Sequence, residues 1–153
     1  MNPLEPGDPA PAFALRDQSG RTVSVSDFAG RKVLVYFYPK ADTPGCTTQS
    51  CELRDVRGEV GSTAIVGISP DPVKRQAKFD EKYGLGFPLL SDEDHAVAEA
   101  YGVWGEKKNY GRTYMGIIRS AFLVDEEGRI AEAWYKVSPK ATAANLLEAL
   151  ASG

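Results

Sequence analysis

Residues 32–38, reading Lys-Val-Leu-Val-Tyr-Phe-Tyr, form a near-continuous run of Val, Leu and aromatic side chains. β-Branched and aromatic residues favour strands, and a run without polar alternation suits a strand covered on both faces. Such a strand has to lie centrally in a sheet with further layers on either side, and this constrains the fold more than any other feature of the chain. Residues 64–69 and 121–125 read the same way. Residues 129–137 follow the turn Glu126-Glu127-Gly128, which predicts a hairpin with the preceding strand. Weaker short strands fit residues 12–15 and 22–25, around a Ser19-Gly20 turn.

Helix starts are marked by an oxygen-bearing residue followed by proline. Thr43-Pro44, Asp71-Pro72 and Ser138-Pro139 each place a cap before a proline at the first helical position. Helices are therefore expected from about residues 44, 72 and 140. A fourth is expected near Ser91, with Asp94 completing an approximate capping box and Val97 and Tyr101 forming an apolar edge. Leu146, Leu147 and Leu150 supply the buried face of the last helix. Strands interleaved with helices, then a late hairpin and a final helix, point to a three-layer α/β fold with a mixed sheet. No repeat or low-complexity segment divides the chain, so residues 1–153 read as one domain.

Charge and composition exclude several function classes. Eighteen Lys and Arg against twenty-one Asp and Glu leave a net charge of -3, the wrong balance for binding nucleic acid or an anionic membrane. No stretch is long and apolar enough for a membrane span, and the first residues lack the pattern of an export signal, so a reducing, cytoplasmic setting is expected. There a permanent disulfide between the two cysteines is not expected, and two Cys with one His fall short of a four-ligand zinc site. The arithmetic leaves reactive thiols or inert buried ones.

Cys46 falls in the first turn of the helix begun by Thr43 and Pro44, where unpaired amides and the positive end of the helix dipole favour an anion. A thiolate is such an anion, so the position predicts an activated cysteine; the alternative is a small buried apolar residue. Cys51 lies five residues on. In an unbroken α-helix that offset is about 140° of rotation and about 7.5 Å of rise, or roughly 8.6 Å between Cα atoms. A disulfide tolerates at most about 7 Å. The pair cannot bond until the first turns unwind, and Thr47, Thr48, Gln49 and Ser50, without bulky apolar side chains, are expected to lose little packing when they do.

Pro39-Lys40-Ala41-Asp42-Thr43-Pro44-Gly45-Cys46, preceded by Val35-Tyr36-Phe37-Tyr38, resembles the peroxiredoxins, whose signature Pro-x-x-x-Thr-x-x-Cys is matched by Pro39, Thr43 and Cys46. Cys51, five residues later, is similar to the second cysteine of the bacterioferritin comigratory protein or Q-type branch. The resemblance runs through Gly7-Asp8-Pro9-Ala10-Pro11, Gly67-Ile68-Ser69, residues 87–92 and residues 111–122, and so covers essentially the whole chain. Ala12 stands where the family often has Asp, and Ala121 where Thr is common. The resemblance implies a thioredoxin-like fold with an N-terminal extension, and reduction of hydrogen peroxide and alkyl hydroperoxides. It also implies recycling by thioredoxin or a glutaredoxin-like dithiol, with no metal or organic cofactor, and a monomer.

Within that resemblance Cys46 attacks the peroxide and Cys51 resolves the resulting sulfenic acid. Arg119 is equated with the active-site arginine, which donates fixed, charged hydrogen bonds to the sulfur and the leaving oxygen. Thr43 is expected to offer its hydroxyl to the thiolate and to accept the peroxide proton. Pro39 is expected to shield the sulfenic acid. His95 reads as a solvent-facing residue of an acidic helix start, Lys107 and Lys108 as a solvated pair, and Trp104, Tyr110 and Tyr114 as edge-packing aromatics or the lining of an entrance. A disulfide reductase fits less well, because Cys-x4-Cys replaces Cys-x-x-Cys. A non-enzymatic redox switch or a holdase-like binding domain need not turn over with a reductant, whereas a peroxidase must.

Overall fold

The apolar run at residues 33–37 is a strand buried at every position, because the sheet it belongs to carries a core on each face. Leu34 and Tyr36 join Leu53, Phe79 and Leu146 on one side, while Val33, Val35 and Phe37 join Val97, Tyr101 and Phe122 on the other. The computed structural model describes residues 3–152. Its strands are Ala14–Arg16 (β1), Thr22–Ser24 (β2), Val33–Phe37 (β3), Ala64–Ser69 (β4), Leu89–Ser91 (β5), Trp104–Asn109 (β6), Arg112–Ile117 (β7), Ser120–Val124 (β8) and Ile130–Trp134 (β9). Its α-helices are Pro44–Asp55 (α1), Val73–Tyr83 (α2), Ala96–Ala100 (α3) and Ala141–Ser152 (α4).

Seven strands form a mixed sheet in the order β2-β1-β5-β4-β3-β8-β9. β3 pairs in parallel with β4 and antiparallel with β8, and β8 pairs antiparallel with β9. The expected central strand and late hairpin are therefore both present, the latter with a register shift between Leu123 and Val124. α1, α2 and α4 supply Leu53, Phe79 and Leu146 to one core, and α3 supplies Val97 and Ala98 to the other. This is a thioredoxin-like arrangement of a mixed sheet flanked by helices. Among the described residues no helix is long and apolar enough to cross a membrane.

Three helix starts lie later in the chain than expected. Asp71 turns inward, accepting the Ala41 amide at 2.7 Å and the Ser69 hydroxyl at 2.6 Å, so Pro72 becomes the N-cap and α2 begins at Val73. Ser138 offers its carbonyl to the Ala141 amide at 3.2 Å, and α4 begins at Ala141. Ser91 belongs to β5, and the short α3 is held by the buried Asp92 carboxylate, which accepts the Val97 and Ala98 amides at 3.2 and 2.9 Å. β5 and the two-stranded β6–β7 hairpin were not expected from the sequence. β5 is only three residues long, and β6 carries Glu106, Lys107 and Lys108 outside the main sheet.

Candidate active site

α1 presents Cys46, Gln49, Ser50 and Leu53 to the interior, the i, i+3, i+4, i+7 stripe of a core-facing helix with polar groups at its middle two positions. The stripe places the fully buried Cys46 opposite Arg119, which lies in the short link between β7 and β8. Arg119 Nη2 donates to Cys46 Sγ at 3.4 Å, and Nη1 donates to Gln49 Oε1 at 2.7 Å. Gln49 Nε2 in turn donates to Thr142 Oγ1 at 2.9 Å, and Thr142 Oγ1 donates to the Ser138 carbonyl at 3.2 Å. The guanidinium is thus fixed at two nitrogens, with a chain of bonds running into α4. The backbone of Arg119 is fixed as well, its carbonyl accepting the Val137 amide at 2.9 Å.

Close approach of the guanidinium depends on Gly45. A β-carbon there would lie 3.0 Å from Arg119 Nη2 and 3.3 Å from Pro139 Cγ. Beside this turn opens a hollow of about 350 Å³ lined by Pro44, Gly45, Thr48, Ser138, Pro139 and Lys140.

Thr43 is the N-cap residue by backbone conformation, but its side chain makes no capping bond. Its hydroxyl instead donates to the Lys40 carbonyl at 2.7 Å, which corrects the expectation that this proton serves the sulfur. With its own proton committed, Thr43 Oγ1 retains acceptor capacity only. The first intrahelical bond of α1 runs from the Thr47 amide to the Thr43 carbonyl at 2.8 Å. Helix geometry leaves the Gly45 and Cys46 amides without an acceptor in the helix. Pro39 sits half-buried just beyond β3. The loop after it is tied down by the Asp71 carboxylate at Ala41, and by Asp42, which adopts φ 59 and accepts Lys82 Nζ at 3.0 Å and the Tyr83 hydroxyl at 2.8 Å.

Cys51 is half-buried on the same unbroken helix, packed against the core, and both thiols are free. The segment between them does not match the expectation of little packing to lose. Gln49 and Ser50 are 0% exposed. Ser50 Oγ shares a hydrogen bond of 2.7 Å with the Tyr36 hydroxyl, so short polar side chains here are anchors.

Lys107 is not a solvated partner of Lys108. Its Nζ donates to the Ile117 carbonyl at 2.8 Å, two residues before Arg119. Burial pushes its ammonium below the ordinary lysine range, the positive Arg119 adds to this, and Cys46 opposes it. His95 is also less open than expected, stacked on Trp104 at 3.8 Å between ring centroids and 3.2 Å from Glu99 Oε2. Tyr110 and Tyr114 are exposed on the hairpin and Trp104 packs on the core. Gln49 and Thr142 are the parts of the site that the sequence reading did not assign. The signal for Gln49 was its place three residues after Cys46, on the same helix face.

The model of the AhpC/TSA family matches residues 6–133. The putative peroxiredoxin Bcp of Haemophilus influenzae is 57% identical over 142 residues, covering 92% of each chain. The structure of Xylella fastidiosa PrxQ, a cysteine-to-serine mutant, superposes with a TM-score of 0.91 at 32% identity, over 99% of this chain and 98% of that one. The Xanthomonas campestris bacterioferritin comigratory protein, whose structures address alkyl peroxide reduction, superposes with a TM-score of 0.86 at 37% identity, over 92% and 90%.

Proposed function

The chain belongs to the AhpC/TSA family as a Bcp/PrxQ-type peroxiredoxin, a thiol peroxidase acting on peroxides, and from that premise we propose that Cys46 is the peroxide-reacting thiol and Cys51 its resolving partner. The observation that carries the assignment is the Arg119 donor 3.4 Å from Cys46 Sγ in the first turn of α1. The thiolate sulfur attacks the nearer peroxide oxygen, an S–O bond forms and the O–O bond breaks, and the departing oxygen leaves with a proton as water or an alcohol. Negative charge moves from sulfur to that oxygen, and a guanidinium held at both ends by Cys46 and Gln49 stabilises it at both points without giving up a proton. Thr43 Oγ1, its proton held by Lys40, accepts the peroxide hydrogen, and the Gly45 and Cys46 amides face the other oxygen. Pro39 covers the sulfur from water.

Cys51 then attacks the sulfenic sulfur. An S–S bond forms, the S–O bond breaks and the hydroxyl leaves as water with the Cys51 proton, after which a dithiol such as thioredoxin or a glutaredoxin-like protein reduces the disulfide. Every group in this sequence comes from one chain, so a monomer suffices, and two free thiols suit a reducing compartment such as the cytoplasm. The absence of any step requiring a metal or organic cofactor follows from the same reading. The likeness to the Xanthomonas protein supports alkyl hydroperoxides as substrates beside hydrogen peroxide.

The test is peroxide consumption with a thioredoxin system for the wild type, Cys46→Ser and Cys51→Ser. Loss of all reaction in the first variant and a single stoichiometric burst in the second are expected. Full steady-state turnover in Cys51→Ser would remove that residue from the mechanism.

A further inference from the structure

Joining Cys46 to Cys51 requires α1 to unwind between them, and the two residues most firmly held in that interval are polar. Ser50 is bonded to the Tyr36 hydroxyl at 2.7 Å, and Gln49 to Thr142 Oγ1 at 2.9 Å, all four residues being 0% exposed. The Tyr36 ring lies across Gly67 of β4, where a β-carbon would come within 2.9 Å of Tyr36 Cζ and Oη, so its hydroxyl is held in place from below. When Ser50 and Gln49 swing away with the unwinding helix, both bonds break: the buried Tyr36 hydroxyl loses its partner, which is costly, and Thr142 Oγ1 keeps only its bond to the Ser138 carbonyl. These contacts therefore oppose the motion that resolution needs, while neither Tyr36 nor Thr142 hydrogen-bonds either sulfur.

We propose that the hydroxyls of Tyr36 and Thr142 are positioning groups that keep α1 wound, and so set how fast Cys51 reaches the Cys46 sulfenic acid relative to a second peroxide. The inference rests on the assignment of Cys46 and Cys51 made above. Two reactions compete for the sulfenic acid. In one, Cys51 forms the S–S bond and water leaves. In the other, the sulfenic sulfur attacks a further peroxide, gains a second oxygen as the O–O bond breaks, and becomes sulfinic acid, with water or an alcohol released. Tighter anchoring of α1 favours the second outcome.

Tyr36→Phe, Ser50→Ala and Thr142→Val each remove one anchor. Reduced protein is mixed with one equivalent of hydrogen peroxide, quenched over time and weighed by mass spectrometry, and excess peroxide is then titrated to find the concentration giving half sulfinic acid. Each variant is expected to form the Cys46–Cys51 disulfide about fivefold faster, the scale of one net buried hydrogen bond. The peroxide needed for half sulfinic acid should rise by the same factor. Because Tyr36 and Ser50 share one bond, the Tyr36→Phe/Ser50→Ala double variant should be no faster than either single variant, whereas adding Thr142→Val should increase the rate further. Phe122→Leu, which loosens the opposite core without touching α1, should leave the disulfide rate unchanged and so separates anchoring from general destabilisation.

Unchanged disulfide rates in both Tyr36→Phe and Thr142→Val, or a lower peroxide requirement for sulfinic acid, would overturn the inference. Acceleration by Phe122→Leu equal to that of Tyr36→Phe would do the same. If the wild type forms no intramolecular disulfide at all, the two-cysteine assignment falls, and this inference with it.

Discussion

At Gly45 two requirements pull in opposite directions. A helix would gain roughly 1 kcal/mol from Ala in place of Gly. The guanidinium of Arg119, however, lies where the new methyl would sit at 3.0 Å, and it cannot retreat freely because Gln49 holds its other nitrogen at 2.7 Å. Gly45→Ala is therefore expected to slow the reaction of Cys46 with hydrogen peroxide by about tenfold, one 1.4 kcal/mol step in the barrier, while leaving the thermal midpoint unchanged or higher. Stopped-flow measurement of the first step, beside a melting curve, checks both signs at once. At this scale Cys46 was readable because a strand, a cap and a proline fix its place locally. Arg119 is 73 residues away, so local pattern could not pair it with the sulfur, and only the resemblance did. The direction of the Thr43 hydroxyl and the inward turn of Lys107 were not legible, because each is set by a carbonyl, that of Lys40 or Ile117, whose position only the folded backbone defines.

Between elements, the loop leading into α1 is clamped to the C-terminal end of α2 through Asp42. The Lys82 and Tyr83 hydrogen bonds, in that order, hold the Asp42 carboxyl below its ordinary value of 3.8. A carboxyl lowered on folding contributes stability above its unfolded value, and that contribution is lost as pH falls through the folded value. Asn tolerates the left-handed backbone found at Asp42, so Asp42→Asn removes the charge without adding strain. Urea midpoints should show the wild type more stable than Asp42→Asn near neutral pH, with the gap closing below about pH 3.8 as the unfolded and then the folded carboxyl is protonated. Helix existence was legible for α1, α2 and α4 from apolar spacing and proline, and so was the first residue of α1 at Pro44, whereas those of α2 and α4 were each one residue off. A carboxylate gains more from the buried Ala41 amide than from a solvated helix end, and so Asp71 abandons the cap it was expected to provide. The polar middle of α1 misled for the related reason that Gln49 and Ser50 occupy core positions with their hydrogen bonds satisfied inside.

For the molecule as a whole, the sheet divides two cores, and α4 closes the one that contains the sulfur. Leu146 of α4 is 0% exposed there, beside Leu53 and Val137. Leu146→Ala should cost about 2–5 kcal/mol of unfolding free energy, read as a lower urea midpoint with an unchanged slope. The layered architecture could be read from residues 32–38 because only a strand with cores on both sides accommodates such a run. The β6–β7 hairpin could not, since its strands pair with each other outside the main sheet and carry charged side chains that imitate a loop. The site's reach along the chain also bears on how the protein is made. Arg119 follows Cys46 by 73 residues and Thr142 follows Gln49 by 93. At about 5–20 residues per second, a ribosome releases the thiol roughly 4–15 s before the guanidinium that faces it, and the last member of the hydrogen-bond chain later still. On the proposed assignment, a nascent chain therefore carries Cys46 for those seconds without the partners that would turn it on peroxide.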